Sequence, residues 1–373
     1  MRKVLPTMIF LLMFSLIFSF ARSADGENNV WTVDNDGPAD FSTIQEAVNA
    51  AEDGDTIFVK NGTYFENVVV NKSLSIIGES INETILDGGG GTGFYIISEG
   101  VNITCFTIRN SSYGVWLDYA QNCLLQRNKF VNNTKGIGGD NCVSCTISNN
   151  VFEGNELGMR LTSFVEFEIS QNIVRHNTYG FSLVNGFNTK VHGNRVENNT
   201  DFGFHLQKFR LSVIYENNVK ENKYGFHLRF TWNNDFYHNN IVNNDIQAIF
   251  VVYGSKPNRW DKNSEGNYWS DYNGTDSNRD GIGDSAYVIA EDNSDDFPLM
   301  NPYWNPADIN HDLKVNCEDI SISANAFGAI PGSPNWNPHA DITGKTMLVP
   351  DGKVDMRDIG LIAKNYGQTY VAK

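Results

Sequence analysis

Short runs of alternating apolar and polar residues dominate the chain. One set pairs Val115 with Leu117, Phe181 with Leu183, Phe204 with Leu206 and Phe226 with Leu228; a second pairs Cys123 with Leu125, Cys145 with Ile147, Phe167 with Ile169 and Thr189 with Val191. A period of two is that of a strand with one buried face. The runs keep step with two columns: Asn128, Asn150, Asn172, Asn194, Asn217 and Asn239, and Gly114, Gly136, Gly158, Gly180, Gly203 and Gly225. Successive glycines lie 22 residues apart, except for one interval of 23 after Gly180. That step is too short for a strand-plus-helix unit and implies stacked units, none able to bury its apolar face alone. The pattern predicts an all-β fold, a spiral of parallel strands with about 4.8 Å between turns, and roughly nine turns over residues 55–255.

The Asn column is expected to be a structural ladder, each side-chain amide bonding its own corner and the next turn. Asn also tolerates the left-handed backbone of a sharp corner, and Gly in its own column is expected to meet that need more cheaply. Ahead of the repeats, Ser42 and Gln45 have the spacing of a capping box, and Ile44, Ala47, Val48 and Ala51 form an apolar stripe. A short amphipathic helix there would close the open end of the stack. With the following Gly54-Asp-Thr-Ile-Phe-Val-Lys-Asn-Gly-Thr-Tyr64, this stretch resembles the opening of secreted right-handed β-helix proteins of the pectin-lyase-like superfamily. The repeats over 100–250 resemble those of NosD-type and CASH (carbohydrate-binding and sugar-hydrolysis) domains. The resemblance implies a right-handed parallel β-helix over residues 25–300 with an N-terminal capping helix.

The period breaks at 266–300. Asp276, Asn278, Asp280 and Asp284, with Gly281 for the bend and the Ile282 carbonyl, supply the hard oxygens of a calcium loop. The segment resembles the end of a NosD-type repeat region. Residues 301–306 read as a linker, and a smaller repeat follows. Asp319 and Asp358, 39 residues apart, each close an acidic loop and are followed by Ile, Ala, an aromatic residue and Gly at matching offsets. Each half reads as a loop and a short helix stopped by Gly. Residues 307–373 resemble a dockerin, a small α-helical calcium-loop domain, which implies a cohesin-type protein module as partner. Carried over by position, the first loop offers Asp308, Asn310, Asp312, the Lys314 carbonyl and Asp319; the second offers Asp341, Thr343, Asp351, the Lys353 carbonyl and Asp358. The second loop departs from the pattern by an insertion between Thr343 and Asp351 and by Thr in place of Asn or Asp.

A net charge of −16 and a pI near 4.8 argue against nucleic acid and anionic membranes as partners, and suit cations or neutral glycans. Residues 1–24 read as a secretory signal: Arg2 and Lys3, an apolar run from Met8 to Phe20, then small residues at Ser19, Ala21, Ser23 and Ala24. No later stretch is long and apolar enough to span a bilayer. The mature chain is therefore expected to be secreted, extracellular, and either released or held at a cell surface by a partner. Asn-X-Ser/Thr sequons at Asn61, Asn71, Asn82, Asn102, Asn110, Asn132, Asn198 and Asn273 fit a glycoprotein. Among five cysteines, Cys123 and Cys145 stand one period apart and read as stacked thiols rather than a disulfide.

On a strand that starts at each glycine, alternate residues point outward. These form the columns Trp116, Gly138, Arg160, Ser182, His205, His227 and Asp118, Asp140, Thr162, Val184, Gln207, Arg229. Sugar rings are held by aromatic plates and planar hydrogen-bonding groups. Trp116, Arg160, His205, Gln207, His227 and Arg229 are thus candidates for binding a polysaccharide. Asp118 and Asp140, with Arg160, are candidate catalytic residues, holding calcium and a base for uronate β-elimination as in lyases of this fold. His205 and His227 alternatively suit copper. No nucleophile elbow, phosphate loop or zinc-protease signature is present. Three readings stay open: a glycan-binding module, a polysaccharide lyase or glycoside hydrolase, and a structural surface protein.

Overall fold

The computed structural model describes residues 28–252, 257–303, 307–309, 315–330, 333–337, 340–343 and 352–367. The expected signal segment, 1–24, lies outside them. Among the described residues, three parallel sheets run the length of the main body. The first has ten strands, from Val30–Val33 to Asp235–Tyr237; another ten run from Gly62–Tyr64 to Tyr268–Trp269. Between them lies a nine-stranded sheet, from Val68–Val70 to Ile246–Val252, here called the face sheet. Each turn gives one strand to each sheet, as Leu124–Gln126, Lys129–Val131 and Lys135–Asp140 do. Partners lie one turn apart: Leu125 with Ile147, Phe130 with Phe152, Ile137 with Met159. The architecture is a parallel β-helix of the right-handed type.

The interior is filled in layers. Val115, Leu117, Leu125, Phe130 and their equivalents are fully buried, and like residues stack turn upon turn, with Phe130 on Phe152 at 4.9 Å and Phe204 on Phe226 at 5.2 Å. At one corner Asn150 Nδ2 donates to Leu125 O of the turn below, while Asn150 Oδ1 accepts from Asn128 N; the chain of bonds continues through Asn172, Asn194, Asn217 and Asn239 to Asn267. A second ladder, absent from the Asn column read in the sequence, runs through Asn133, Asn155, Asn177, Asn199, Asn222 and Asn244. The third corner changes chemistry on the way, from Cys123 and Cys145 to Thr189, Ser212, Asn234 and Asn258. The five cysteines are free, and the Cys123 amide donates to Cys145 Sγ at 3.4 Å.

Two expectations about the columns are corrected. The ladder asparagines are not the left-handed residues; those are their predecessors, such as Arg127 (φ 52°), Asn149 (φ 57°) and Gln171 (φ 57°). The side chain bonds the interior while the preceding residue makes the corner. The glycine column is not left-handed either. A Cβ on Gly136 would sit 2.5 Å from Gly158 O and 2.7 Å from a Phe152 ring carbon, so these glycines exist because neighbouring turns approach too closely for any side chain.

Helix α1, Ile44–Ala50, closes the N-terminal end with Ile44, Ala47 and Val48 buried. Its N-cap is Thr43, not Ser42: Thr43 Oγ1 accepts from Glu46 N, and Ser42 instead bonds the Glu46 carboxylate. Glu66 adds a carboxylate across the Ile44 and Gln45 amides. At the other end Trp260 and Trp269 are buried, and Tyr287, from the small hairpin Tyr287–Ala290 with Asn293–Asp295, stacks on Trp269 at 4.2 Å. Asp295 stands where the next ladder Asn would, accepting from Asn267 N and Trp269 Nε1; burial pushes its carboxyl up to about 6.

The tail carries α2, Cys317–Asn325, and α3, Met356–Lys364, each opened by a full capping box, Asn316 with Asp319 and Asp355 with Asp358. The two halves tie to each other by matching bonds, Gly328 N to Val354 O and Gly367 N to Val315 O, over a small core of Ile309, Val315, Ile342, Val354 and Ile362.

Removing the Asn172 amide orphans two buried backbone groups of the preceding turn, Asn150 N and Ile147 O. Asn172→Ala is therefore expected to lower the unfolding free energy by about 3 kcal/mol, read as a lower urea midpoint at unchanged slope. An exposed control, Glu156→Ala, should stay within about 0.5 kcal/mol of the parent.

Candidate functional site

The outer side of the face sheet carries both columns in the expected register. Trp116 pairs with Gly138, Gly138 with Arg160, Arg160 with Ser182, Ser182 with His205 and His205 with His227. Asp118, Asp140, Thr162, Val184, Gln207 and Arg229 follow in the neighbouring column. Tyr95 extends the first column by one turn and donates its hydroxyl to Asp118 at 2.6 Å, a contact that raises the Tyr95 pKa. Asn141 donates to Asp140 at 2.9 Å.

A third outward column, Tyr113, Lys135, Leu157, Tyr179, Phe202 and Tyr224, was not singled out in the sequence. Its signal was present, since the residue before four of the six column glycines is aromatic. Tyr113 meets Trp116 edge-on at 4.7 Å, and Lys135 Nζ lies 4.6 Å from the Tyr113 ring centre. Both rings lean over Gly138, where a Cβ would fall 2.5 Å from Tyr113 and 2.6 Å from Trp116. Gly138 thus lets an aromatic plate lie flat across the next turn.

The far half of the face has different chemistry. Tyr179 stacks on Phe202 at 4.8 Å, Phe202 lies 5.2 Å from His205, and the two histidine rings are 5.1 Å apart. Ser182 Oγ faces His205 Nδ1 at 3.4 Å, and His227 Nδ1 is sealed from solvent with no hydrogen-bond partner. Burial, then His227, Arg160 and Arg229, push His205 down to about 4; burial also lowers His227, with Asp201 opposing. Both rings are therefore neutral at pH 7. Arg160 and Arg229 are exposed.

The remaining candidates lie elsewhere. Asp276 and Asn278 turn their oxygens on the backbone of their own loop: Asp280 N donates to both and Gly281 N to Asp276, while Ile282 N donates to Asp280 Oδ1. Asp284 is aimed away, accepting from Thr275 and Ser277. In the tail, Asp308, Asp319 and Asp358 are fully buried, and Asp341 and Thr343 nearly so. Asp319 accepts from Ile309 N, Asp358 from Ile342 N and Thr343 N, and Asp341 from Gly352 N. Lys353 is exposed. Asn310, Asp312, Lys314 and Asp351 lie outside the described residues.

A family profile described as "Periplasmic copper-binding protein (NosD)" matches residues 48–274. A solved structure of XylC with xylose superposes with a TM-score of 0.55 at 10% identity, covering 61% of this chain and 68% of that one, a likeness of fold. Pectate lyase Pel9A superposes with a TM-score of 0.41 at 15% identity, covering 66% of this chain and 81% of that one. Pectinesterase 3 of Solanum lycopersicum is 46% identical over 63 residues, 15% of this chain; the chain spans 12% of the length of that relative. Among the described residues, no helix is long and apolar enough to cross a membrane.

The lowered His205 pKa gives a pH test. Between about 6.5 and about 4 the unfolded chain binds a proton that the folded site refuses, so this residue's contribution to stability falls as pH falls through that window. In His205→Asn the urea midpoint should depend less steeply on pH over that range than in the parent. Asp295 titrates with the opposite sign and cancels in the comparison.

Proposed function

The chain belongs to the NosD family, and we propose that the outer side of its face sheet binds an extended polysaccharide, as a secreted or periplasmic recognition module. One observation carries this: aromatic rings and planar polar groups stand in register from Tyr95 to Arg229 on the outer side of one sheet. The six turn-to-turn steps from Tyr95 to His227 measure about 29 Å. A surface of that form suits a linear ligand lying along the axis, its rings against Trp116 and Tyr113 and its hydroxyls within reach of Asp118, Asp140 and Gln207.

A second reading, a lyase or hydrolase, is favoured by one specific feature. Asp118 and Asp140 are like charges in directly paired positions, an arrangement that costs stability unless a cation or substrate uses it. For the tail we propose a calcium-dependent docking unit for a cohesin-type module, supported by its two matched halves and their buried carboxylates. Calcium in the 276–284 loop is proposed on the convergence of Asp276, Asn278 and Asp280 alone. The family name also implies copper, but the described residues do not fit it. They contain no group of three or more His, Cys, Asp or Glu able to hold a metal ion.

Incubation with a polysaccharide panel tests the first reading. At least one polymer should be retained, with affinity falling on the order of tenfold or more in Trp116→Ala. Retention without product supports recognition; unsaturated-uronate absorbance that Asp140→Ala abolishes supports the lyase, and no retention of any polymer refutes both. Chelation with EDTA should lower the melting temperature of the tail and release a bound cohesin module, and neither effect is expected if the tail is a self-packed cap.

A further inference from the structure

Charges in one outward column of the third sheet alternate in sign, and those of the face sheet do not. In the third sheet one outward column reads Asp87, Arg109, Val131, Glu153, Arg175, Glu197, Lys220, and opposite charges meet across successive turns: Arg109–Asp87 at 2.9 Å, Arg175–Glu153 at 3.1 Å, Lys220–Glu197 at 3.5 Å. In the first sheet Arg259 meets Asp235 at 2.7 Å. Alternating signs are the inexpensive solution for stacked strands, because like charges directly opposite one another destabilise the pair. On the face sheet Arg160 pairs in register with Gly138 and Ser182, and Arg229 with Gln207, so neither meets a carboxylate across its column. The space between them is occupied by two neutral histidines packed among Phe202, Tyr179 and Tyr224. In a chain of net charge −16, two exposed guanidiniums with no carboxylate partner in their columns, beside such a cluster, make a local positive field.

The same arrangement opposes a cation. Copper(II) takes several nitrogen or oxygen ligands in one plane, and this cluster offers two imidazoles. One of them has its Nδ1 sealed away from solvent. Arg160 and Arg229 disfavour added positive charge at His205, whereas at His227 Asp201 opposes Arg229. A metal ion would meet the same repulsion at His205. The thiols offer no alternative: Cys123, Cys142 and Cys145 are buried and turned to backbone carbonyls inside the coil, and among the described residues neither Cys105 nor Cys317 joins a metal-holding group.

We infer that Arg160, His205, His227 and Arg229 form an anion subsite rather than a copper site, and that it takes the carboxylate or sulfate groups of an acidic glycan. This rests on the reading of the face as a glycan-binding surface. Arg160 and Arg229 supply planar, permanently charged forks that match either oxyanion, and the neutral imidazoles act as hydrogen-bonding partners at the floor. The face is then divided: an aromatic and carboxylate half around Trp116, Asp118 and Asp140, which does not favour anions, and a cationic half that does. A ligand of mixed composition would be held in one direction only.

The test uses the full chain freed of metal. Affinities are measured for an oligogalacturonate hexamer, its methyl-esterified neutral form, dextran and dextran sulfate, at low and at physiological salt. The acid or the sulfate should bind more tightly than its neutral counterpart, with a preference that shrinks as salt rises. The two pairs tell carboxylate from sulfate recognition. Arg160→Gln and Arg229→Gln, both changes at exposed positions, should each reduce that preference on the order of tenfold with an unchanged melting temperature. Copper(II) alone is titrated into the parent and into the His205→Asn/His227→Asn double variant, and the spectra should be the same. A bound copper lost in the double variant overturns the inference. So does acidic-glycan binding that ignores the two arginines. Equal binding of charged and neutral polymers, still dependent on Trp116, overturns the anion subsite and leaves the glycan surface standing; no binding of any of them removes both.

Discussion

A coil of three short strands must turn three times in about 22 residues, and each turn carries backbone N–H and C=O groups into an interior that water does not enter. The asparagine ladders answer that constraint. Each Asn side chain both accepts from and donates to the backbone of the turn before it, as Asn172 does with Asn150 N and Ile147 O. Because the amide has both donor and acceptor, the bonds join into a continuous chain along the axis. The ladder also forbids slippage. A strand that shifted by one residue would turn its apolar set outward and break its corner bonds together. The outward columns are straight because the inward ones are locked.

That rigidity makes the surface readable as chemistry. Side chains one turn apart stand about 4.8 Å apart, so a column of like residues is a repeated presentation to anything lying along the axis. One column of the third sheet uses this to cancel charge, in the run from Asp87 to Lys220. The face sheet uses it to gather Trp116, Asp118 and Asp140 at one end and two histidines with Phe202 and Arg229 at the other, Arg160 standing between. Gly138 shows how closely the two levels are joined: the absence of one side chain lets Trp116 and Tyr113 spread over the neighbouring turn.

The ends of the stack are solved differently. At the N-terminal end a helix lays Ile44, Ala47 and Val48 over the open core and draws extra capping from Glu66 of the coil beneath. At the C-terminal end two tryptophans and a small hairpin cover the last turn, and an aspartate ends the ladder. A carboxylate suits that last position because no further amide follows: it needs only to accept, from Asn267 and Trp269. The tail repeats one capping box in two halves joined by reciprocal backbone bonds, so neither helix stands alone.

The repeat, the all-β spiral, the inward residues and the register of the two outward columns were all legible in the amino-acid order, because a side chain's direction on a strand depends only on its parity and the step between turns repeats. What each column residue does at a corner was not legible. Asn and Gly were both assigned to left-handed backbone on their general preferences, yet that conformation fell to Arg127, Asn149 and Gln171, and the glycines answer to the distance between turns. The N-cap moved from Ser42 to Thr43 for a like reason: it depends on where the chain leaves the preceding strand. The environment of the histidines was also decided in three dimensions, since Arg160 and Arg229 act on His205, and Phe202 faces His227, only when separate turns are stacked. Parity and period are local properties of a chain, whereas burial, close approach and the field at a titrating group are sums over neighbours that only the folded coil brings together.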